Sequence, residues 1–466
     1  MKYTHKIVIT LFTVCTLVMF SGCEKFLAEK ADQKLVLPER LEDLQALLDY
    51  LNDTNLTGVS AGSASSDDYY LSNQRYNALA AENDRRMHTW EKDNLFSTTG
   101  FNSWRDVYAS VYCANTVLEG LDKIPRTPGN AAAWDNLKGQ ALFLRGFSFL
   151  DAAVVWCIQY NTATANKDLG LPLRLNTDFN EVSKRSNLQQ TYDQILADLK
   201  ETPSLLPVVA LSKHRSSKIA AYGLLARAYL VMGNYDEALL QADNCLKLQG
   251  DLLDYSKLDA AATFPITIAG NPEFLYAKYI NYSPLLASSN AIIPDDLYRL
   301  YTANDLRKTV FFGSNTDGSL FFKGGYFGAD GPNAAPCTDE VYLIRAECLA
   351  RNNQVELAVK DLNTLLKTRW KVNVLPNGDR QSTYVDYTTT DREIALNLIL
   401  TERRKELIMR GTRWTDIKRL NKEGANISLS RTLNGKTYTL PANDLRFALP
   451  IPEDVIALSG MEQNLR

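Results

Sequence analysis

A chain of 466 residues that is 45% apolar can bury a large core, and its length alone allows up to three domains. With 51 basic against 54 acidic residues the formal net charge is −3, which gives no footing for nucleic acid or an anionic surface as partner. Three histidines, and seven cysteines without a C-x-x-C pair, argue against a zinc site.

Lys2, His5 and Lys6 make a basic start, and residues 7–20 are an uncharged apolar run too short to span a bilayer. Small Ser21 and Gly22 then precede Cys23. The arrangement resembles a bacterial lipoprotein signal, so residues 1–22 are expected to be removed and the Cys23 thiol to carry lipid. Residues 23–40 read as a polar tether holding a body, residues 41–466, to a membrane outside the cytoplasm. Cys113, Cys157, Cys245, Cys337 and Cys348 are odd in number and widely spaced. Four of them fall in helix-like apolar segments, and they read as buried thiols.

Leu41, Leu44, Leu47, Leu48 and Leu51 form a helical stripe, after which the Asn, Thr, Gly and Ser of residues 52–66 read as loop. Trp104, Tyr108, Val111, Tyr112 and Asn115 mark a second helix that ends before Pro125. A third, over about residues 132–160, carries Leu142, Arg145, Gly146 and Phe149 on its inner face. Between residues 221 and 248, Tyr222, Ala226, Tyr229, Gly233, Tyr235, Ala238 and Ala242 fall at tetratricopeptide spacing. A second such unit spans residues 340–369. Units so far apart predict a helical scaffold with insertions, at about 52–100 and 252–336, and not a plain solenoid. Asn434-Gly435 between residues 427–433 and 436–440 predicts a hairpin. The fold class expected is mainly α: one tetratricopeptide-like scaffold with long irregular insertions and a minor β-hairpin component.

Residues 399–420 read ILTERRKELIMRGTRWTDIKRL. By charge alone, Glu402, Arg403, Glu406, Arg410 and Arg413 predict ion pairs around Leu407 and Trp414. The segment closely resembles the C-terminal signature of the SusD/RagB family of Bacteroidetes nutrient-uptake lipoproteins. The match is carried by residues 402–407, Gly411, Arg413-Trp414, Asp416 and Lys418-Arg419. It is supported by residues 340–347, Leu449-Pro450-Ile451-Pro452, Gln463-Asn464, residues 104–108 with Asn115, and Arg145 with Phe147 and Phe149. One departure is the end at Leu465-Arg466, where many relatives continue, which is expected to alter the last turn. The resemblance implies a protein on the outer face of the outer membrane that binds an oligosaccharide, or in some branches a peptide, without cleaving it. It also implies a SusC-like TonB-dependent β-barrel as partner, the protein acting as its lid.

A glycan site needs partly exposed aromatic faces flanked by groups that bond hydroxyls. The candidates are Asp67, Asp68, Tyr69, Tyr70 and Trp90 from the first insertion and Tyr282 and Tyr326 from the second. Each aromatic has a competing reading as core. Asp67 and Asp68 could take hydroxyls or a calcium ion, although adjacent carboxylates on a polar loop more often mark a solvated turn; no cofactor is otherwise called for. Gly58-Val59-Ser60-Ala61-Gly62 fits the G-x-S-x-G of serine hydrolases, but both flanks are loop-like and neither His88 nor His214 has a recognisable acid partner. The expectation is a binding protein and not an enzyme. The alternative from another class is a surface scaffold with no small ligand.

Overall fold

The computed structural model describes residues 39–97 and 102–466. The leader, Cys23 and the tether to residue 38 lie outside the described residues. Seventeen α-helices and four two-stranded antiparallel sheets make up the regular structure of the described residues. Leu41–Arg466 cluster as one compact unit.

The longer helices are α1 (Leu41–Leu48), α2 (Ser103–Asp122), α3 (Ala131–Trp156), α4 (Leu188–Leu205), α5 (Lys218–Met232), α6 (Tyr235–Leu248), α7 (Thr338–Arg351), α8 (Val355–Lys367), α9 (Arg392–Glu406) and α10 (Arg413–Lys422). Helices α2 to α8 pack consecutively, each on the next. The stack therefore runs without a break from α6 to α7, and the intervening insertion loops out of it.

Local chemistry explains the stack. Ser217 caps α5 by accepting the Ala220 N–H. Gly233, at φ +76°, ends that helix in the left-handed conformation that glycine takes without strain. Asn234 then caps α6, and fully buried Ala226, Ala238 and Ala242 let the two helices close on each other. Asn353, at φ +60°, makes the equivalent turn between α7 and α8. A Cβ at Gly146 of α3 would lie 2.8 Å from Leu199 of α4, so glycine sets that approach. Beside it, Arg145 donates to both Asp198 oxygens (2.8 and 2.7 Å) and to Asn115 Oδ1 (2.9 Å), tying α2, α3 and α4 together.

The predicted loop over 52–66 is corrected. It holds the short helices Leu51–Thr54 and Ala61–Ser65, the second wholly buried. Its small side chains are what let it enter the core: a Cβ at Gly62 would meet Val155 at 3.3 Å and Trp414 at 3.4 Å. The second insertion is ordered by bridges to distant segments, Gly58 with Ile280, Tyr70 with Ile292 and Phe274 with Cys337. Phe312–Ser314 pairs with Leu320–Phe322 inside it. The predicted hairpin forms as Leu429–Leu433 with Lys436–Leu440, turning through Asn434 (φ +51°) and Gly435 (φ +79°). Cys113, Cys157, Cys245, Cys337 and Cys348 are all free and buried. Among the described residues no helix is long and apolar enough to cross a membrane.

Candidate ligand-binding site

The residues singled out in the first insertion divide into a buried nest and an exposed rim. Asp67 is held by Arg413 (2.6 and 2.9 Å) and Arg404 (3.0 Å). Burial alone would lift its carboxyl, but those guanidinium groups bring it below the usual carboxylate range. Asp68 is buried and accepts the Met409 N–H at 3.1 Å; burial, reinforced by the Asp67 charge, pushes it up to about 6. The pair is thus no solvated turn but a clamp on the segment before α10.

Tyr69, Trp90 and Tyr326 are corrected from exposed platforms to core. Tyr69 donates to the Ala64 carbonyl at 2.6 Å, and Trp90 Nε1 donates to the Ser65 carbonyl at 2.9 Å. The Arg431 guanidinium lies 4.5 Å from the Trp90 ring and donates to the His88 and Ser66 carbonyls. Tyr326 donates to Asp339 Oδ2 at 2.7 Å beneath Arg410, 4.1 Å from its ring. Each polar tip finds a buried partner, which is the condition for such a ring to enter a core. Tyr70 and Tyr282 remain on the surface, 43% and 60% exposed. Beside Tyr70, Arg75 donates to Asp317 (3.2 Å), Ser319 (3.1 Å) and the Asn290 carbonyl (3.3 Å), joining the two insertions.

A better-formed concavity lies elsewhere. Trp104, Tyr108 and Tyr112 recur every four residues along one face of α2 and wall a groove of about 590 Å³. The segment 172–183, together with Val455 and Met461, lines the rest of it. The Trp104 and Tyr108 rings lie 4.9 Å apart, tilted by 36°, and the Tyr108 hydroxyl donates to the Pro172 carbonyl at 2.9 Å. Tyr112 and Phe179, 41% and 80% exposed, lie 5.0 Å apart at an interplanar angle of 31°.

Polar bonds hold Phe179 in that position. Arg174 donates to the Asp178 and Glu181 carbonyls, while Asn115 Nδ2 donates to the carbonyls of Arg174 (3.0 Å) and Asn176 (3.1 Å). The Glu119 carboxylate accepts from the Thr177 N–H (2.8 Å) and hydroxyl (2.6 Å). The result is a fixed aromatic surface rimmed by Arg105, Glu181 and Asp454, of the size and lining of a small-molecule site. Sequence reasoning assigned Tyr112 to a helix face and passed over Phe179. The available signal was a lone aromatic inside the polar run 176–183.

Ser60 does not stand on a nucleophile elbow. Its hydroxyl is buried 3.5 Å from that of Ser103, whereas His88 bonds Tyr69 and His214 bonds Ser212. The glycines around it serve packing: a Cβ at Gly58 would lie 2.5 Å from the Tyr279 carbonyl oxygen.

Two family models match, one described as starch-binding and associating with the outer membrane, over residues 25–230, and one of the SusD family, over residues 339–465. The chain belongs to the SusD/RagB family. The signature 399–420 lies within the second match. A SusD-like protein, P38, of Formosa agariphila is 23% identical over 407 residues, covering 73% of this chain and 76% of the relative. A structure described as a sugar-binding protein of Bacteroides vulgatus superposes with a TM-score of 0.71 at 22% identity, over 92% of this SusD-like chain and 99% of the other. A SusD superfamily protein of Bacteroides thetaiotaomicron gives 0.70 at 20% identity, over 91% and 100%. These likenesses show the mainly helical SusD fold. Family members are outer-membrane-associated proteins that bind sugars and work with transporters.

Proposed function

We propose that this SusD-like protein captures an oligosaccharide at the cell surface and passes it to a SusC-like TonB-dependent barrel, without chemistry of its own. On this reading Cys23 carries the lipid anchor, and the stack α2 to α8 serves as the scaffold that presents the ligand groove. The observation that carries the proposal is the exposed Tyr112–Phe179 pair, fixed over a groove of about 590 Å³. Water-facing aromatic rings held in place by a polar network offer flat apolar faces to sugar C–H groups. Arg105, Glu181 and Asp454 are placed to bond hydroxyls at the rim. Tyr70 with Arg75 offers a second, shallower contact surface.

Calorimetry against a panel of soluble glycans and peptides tests this. Phe179→Ala is expected to weaken glycan binding by about tenfold, equivalent to about 1.4 kcal/mol, with the thermal midpoint unchanged. Equal affinity of the variant and the parent protein would remove the groove as the site. Binding of peptides alone would assign the protein to the peptide branch, and no binding at all, together with failure to co-purify a barrel, would favour a scaffold.

A further inference from the structure

Apart from the groove around Tyr112 and Phe179, one loop of the described surface exposes three apolar side chains within four residues. Between α4 and α5, Val208, Val209 and Leu211 are 44%, 69% and 93% exposed. We propose that this tip is a membrane-contact element that enters the lipid leaflet holding the anchored N-terminus. The proposal rests on the surface-anchored reading above and adds to it a second point of attachment.

The base of the tip is rigid, so its side chains stay outward. The Lys218 N–H donates to the Pro207 carbonyl at 2.8 Å, closing the loop. Lys213 Nζ donates to the Phe274 carbonyl at 2.6 Å, and the Lys213 carbonyl accepts the Ala277 N–H at 2.7 Å. A chain that meant to hide three apolar side chains would leave the loop free to fold back. Here it is pinned on both sides of them.

Its position ties it to the start of the described body. Arg215 donates to Asp49 (2.8 and 2.5 Å), directly after α1, and the His214 carbonyl accepts from Asn55 at 3.0 Å. On the other side, Leu205 and Leu206 pack against Gly139, whose neighbour Gln140 bonds Gln45 of α1 at 3.1 Å. The tip therefore flanks the first helix of the body. Tyr50 and Leu51, themselves exposed, lie beside the Asp49 that receives Arg215. Tyrosine is at home at the boundary between water and hydrocarbon. Residues 23–40 span at most about 60 Å when fully extended, so an anchor at Cys23 keeps this corner of the body within reach of the bilayer.

Lipid suits the tip better than a protein partner does. Stable protein interfaces bury roughly 800 Å² on each side with a polar rim, and three side chains on a convex loop supply far less. A diacylated cysteine anchors stably by itself but leaves the body free to turn on its tether, so what a second contact adds is a fixed orientation on the leaflet. A small apolar tip flanking the first helix of the body supplies that contact.

The test uses the full lipoprotein reconstituted in phosphatidylcholine vesicles whose acyl chains carry bromine, a short-range quencher of tryptophan. Leu211→Trp is compared with Leu458→Trp, which alters another highly exposed leucine, in the helix Glu453–Ser459. The added emission of Leu211→Trp is expected to fall at least twofold relative to unbrominated vesicles and to shift to the blue, while that of Leu458→Trp stays constant. Flotation with the vesicles but no quenching of Leu211→Trp overturns the membrane tip and leaves the anchor standing. Equal quenching of both variants overturns it as unspecific adsorption. Failure to float overturns the anchored reading and the tip together. Protection of Leu211→Trp from aqueous iodide only when a barrel is added would reassign the tip to that partner.

Discussion

His88 is sealed from solvent, its Nδ1 3.2 Å from the oxygen of Tyr69. Because the Tyr69 hydroxyl donates to Ala64, the imidazole must donate through Nδ1–H, which leaves Nε2 buried without a partner. Burial, and then the Arg431 charge, hold the His88 pKa far below its ordinary value. The sign follows from linkage. Below pH 6.5 the unfolded chain takes up a proton that the folded one refuses, so this group lowers stability as pH falls, by about 1.4 kcal/mol per pH unit. Urea unfolding at pH 7.5 and pH 5 should show the parent losing roughly 2 kcal/mol more than His88→Gln over that interval. A parallel pH dependence of the two proteins would mean that His88 titrates normally. The nest around His88 was not legible in the sequence, since Arg431 bonds it from 343 residues away. Tyr69 and Trp90 carry the same side chains in a sugar platform as in a core. Only the buried carbonyls of Ala64 and Ser65 decide between the two.

Helices were legible where apolar residues repeat and obscure where small residues replace them. The spacing around Ala226, Gly233 and Ala238 marks α5 and α6 because a tetratricopeptide pair needs small residues at its contact and a turn between. Residues 61–65 hide their helix because Ala, Gly and Ser are as common in loops as in tightly approached helices. The glycines at such approaches carry measurable weight. Gly146→Ala places a methyl 2.8 Å from Leu199 and is expected to cost about 1–3 kcal/mol in urea titration, through overpacking of α3 on α4. Gly58→Ala forces the Tyr279 carbonyl aside and should destabilise by ~2 kcal/mol or more. Ser60→Ala, which removes one long hydroxyl contact, should stay within about 1 kcal/mol of the parent. Comparable losses for the two changes, read as shifts in midpoint, would show Ser60 to matter in a way its packing does not explain.

Across the whole molecule the signature segment acts as an ionic hub. Its charges were expected to pair among themselves, and some do, as in Arg403 with Asp416 at 2.9 Å. Most partners come from elsewhere. Arg307 reaches Asp305, Glu402 and Glu406 (2.7, 2.6 and 2.8 Å), Arg369 joins Glu273 to Glu406 (2.6 and 2.7 Å), and Arg419 joins Glu347 (2.6 Å). The second insertion, α7 and the end of α8 are thereby fastened to α9 and α10. A linear reading names the charges but not partners a hundred residues distant. Arg307→Met leaves three carboxylates sharing Lys405 and Arg369, and is expected to cost roughly 3–5 kcal/mol in chemical denaturation. A loss under ~1 kcal/mol would show that the remaining cations and water satisfy the site. The five unpaired thiols among the described residues offer a different use of this architecture. Cys113 sits in α2, Cys157 just after α3, Cys245 in α6, Cys337 at the start of α7 and Cys348 within it, all out of solvent. A disulfide reagent added to the folded protein can modify each only when its surroundings momentarily open, so the five reaction rates form a clock for local breathing along the helical stack. Repeating the measurement with glycan bound would show which turns of the scaffold slow down when the groove is filled.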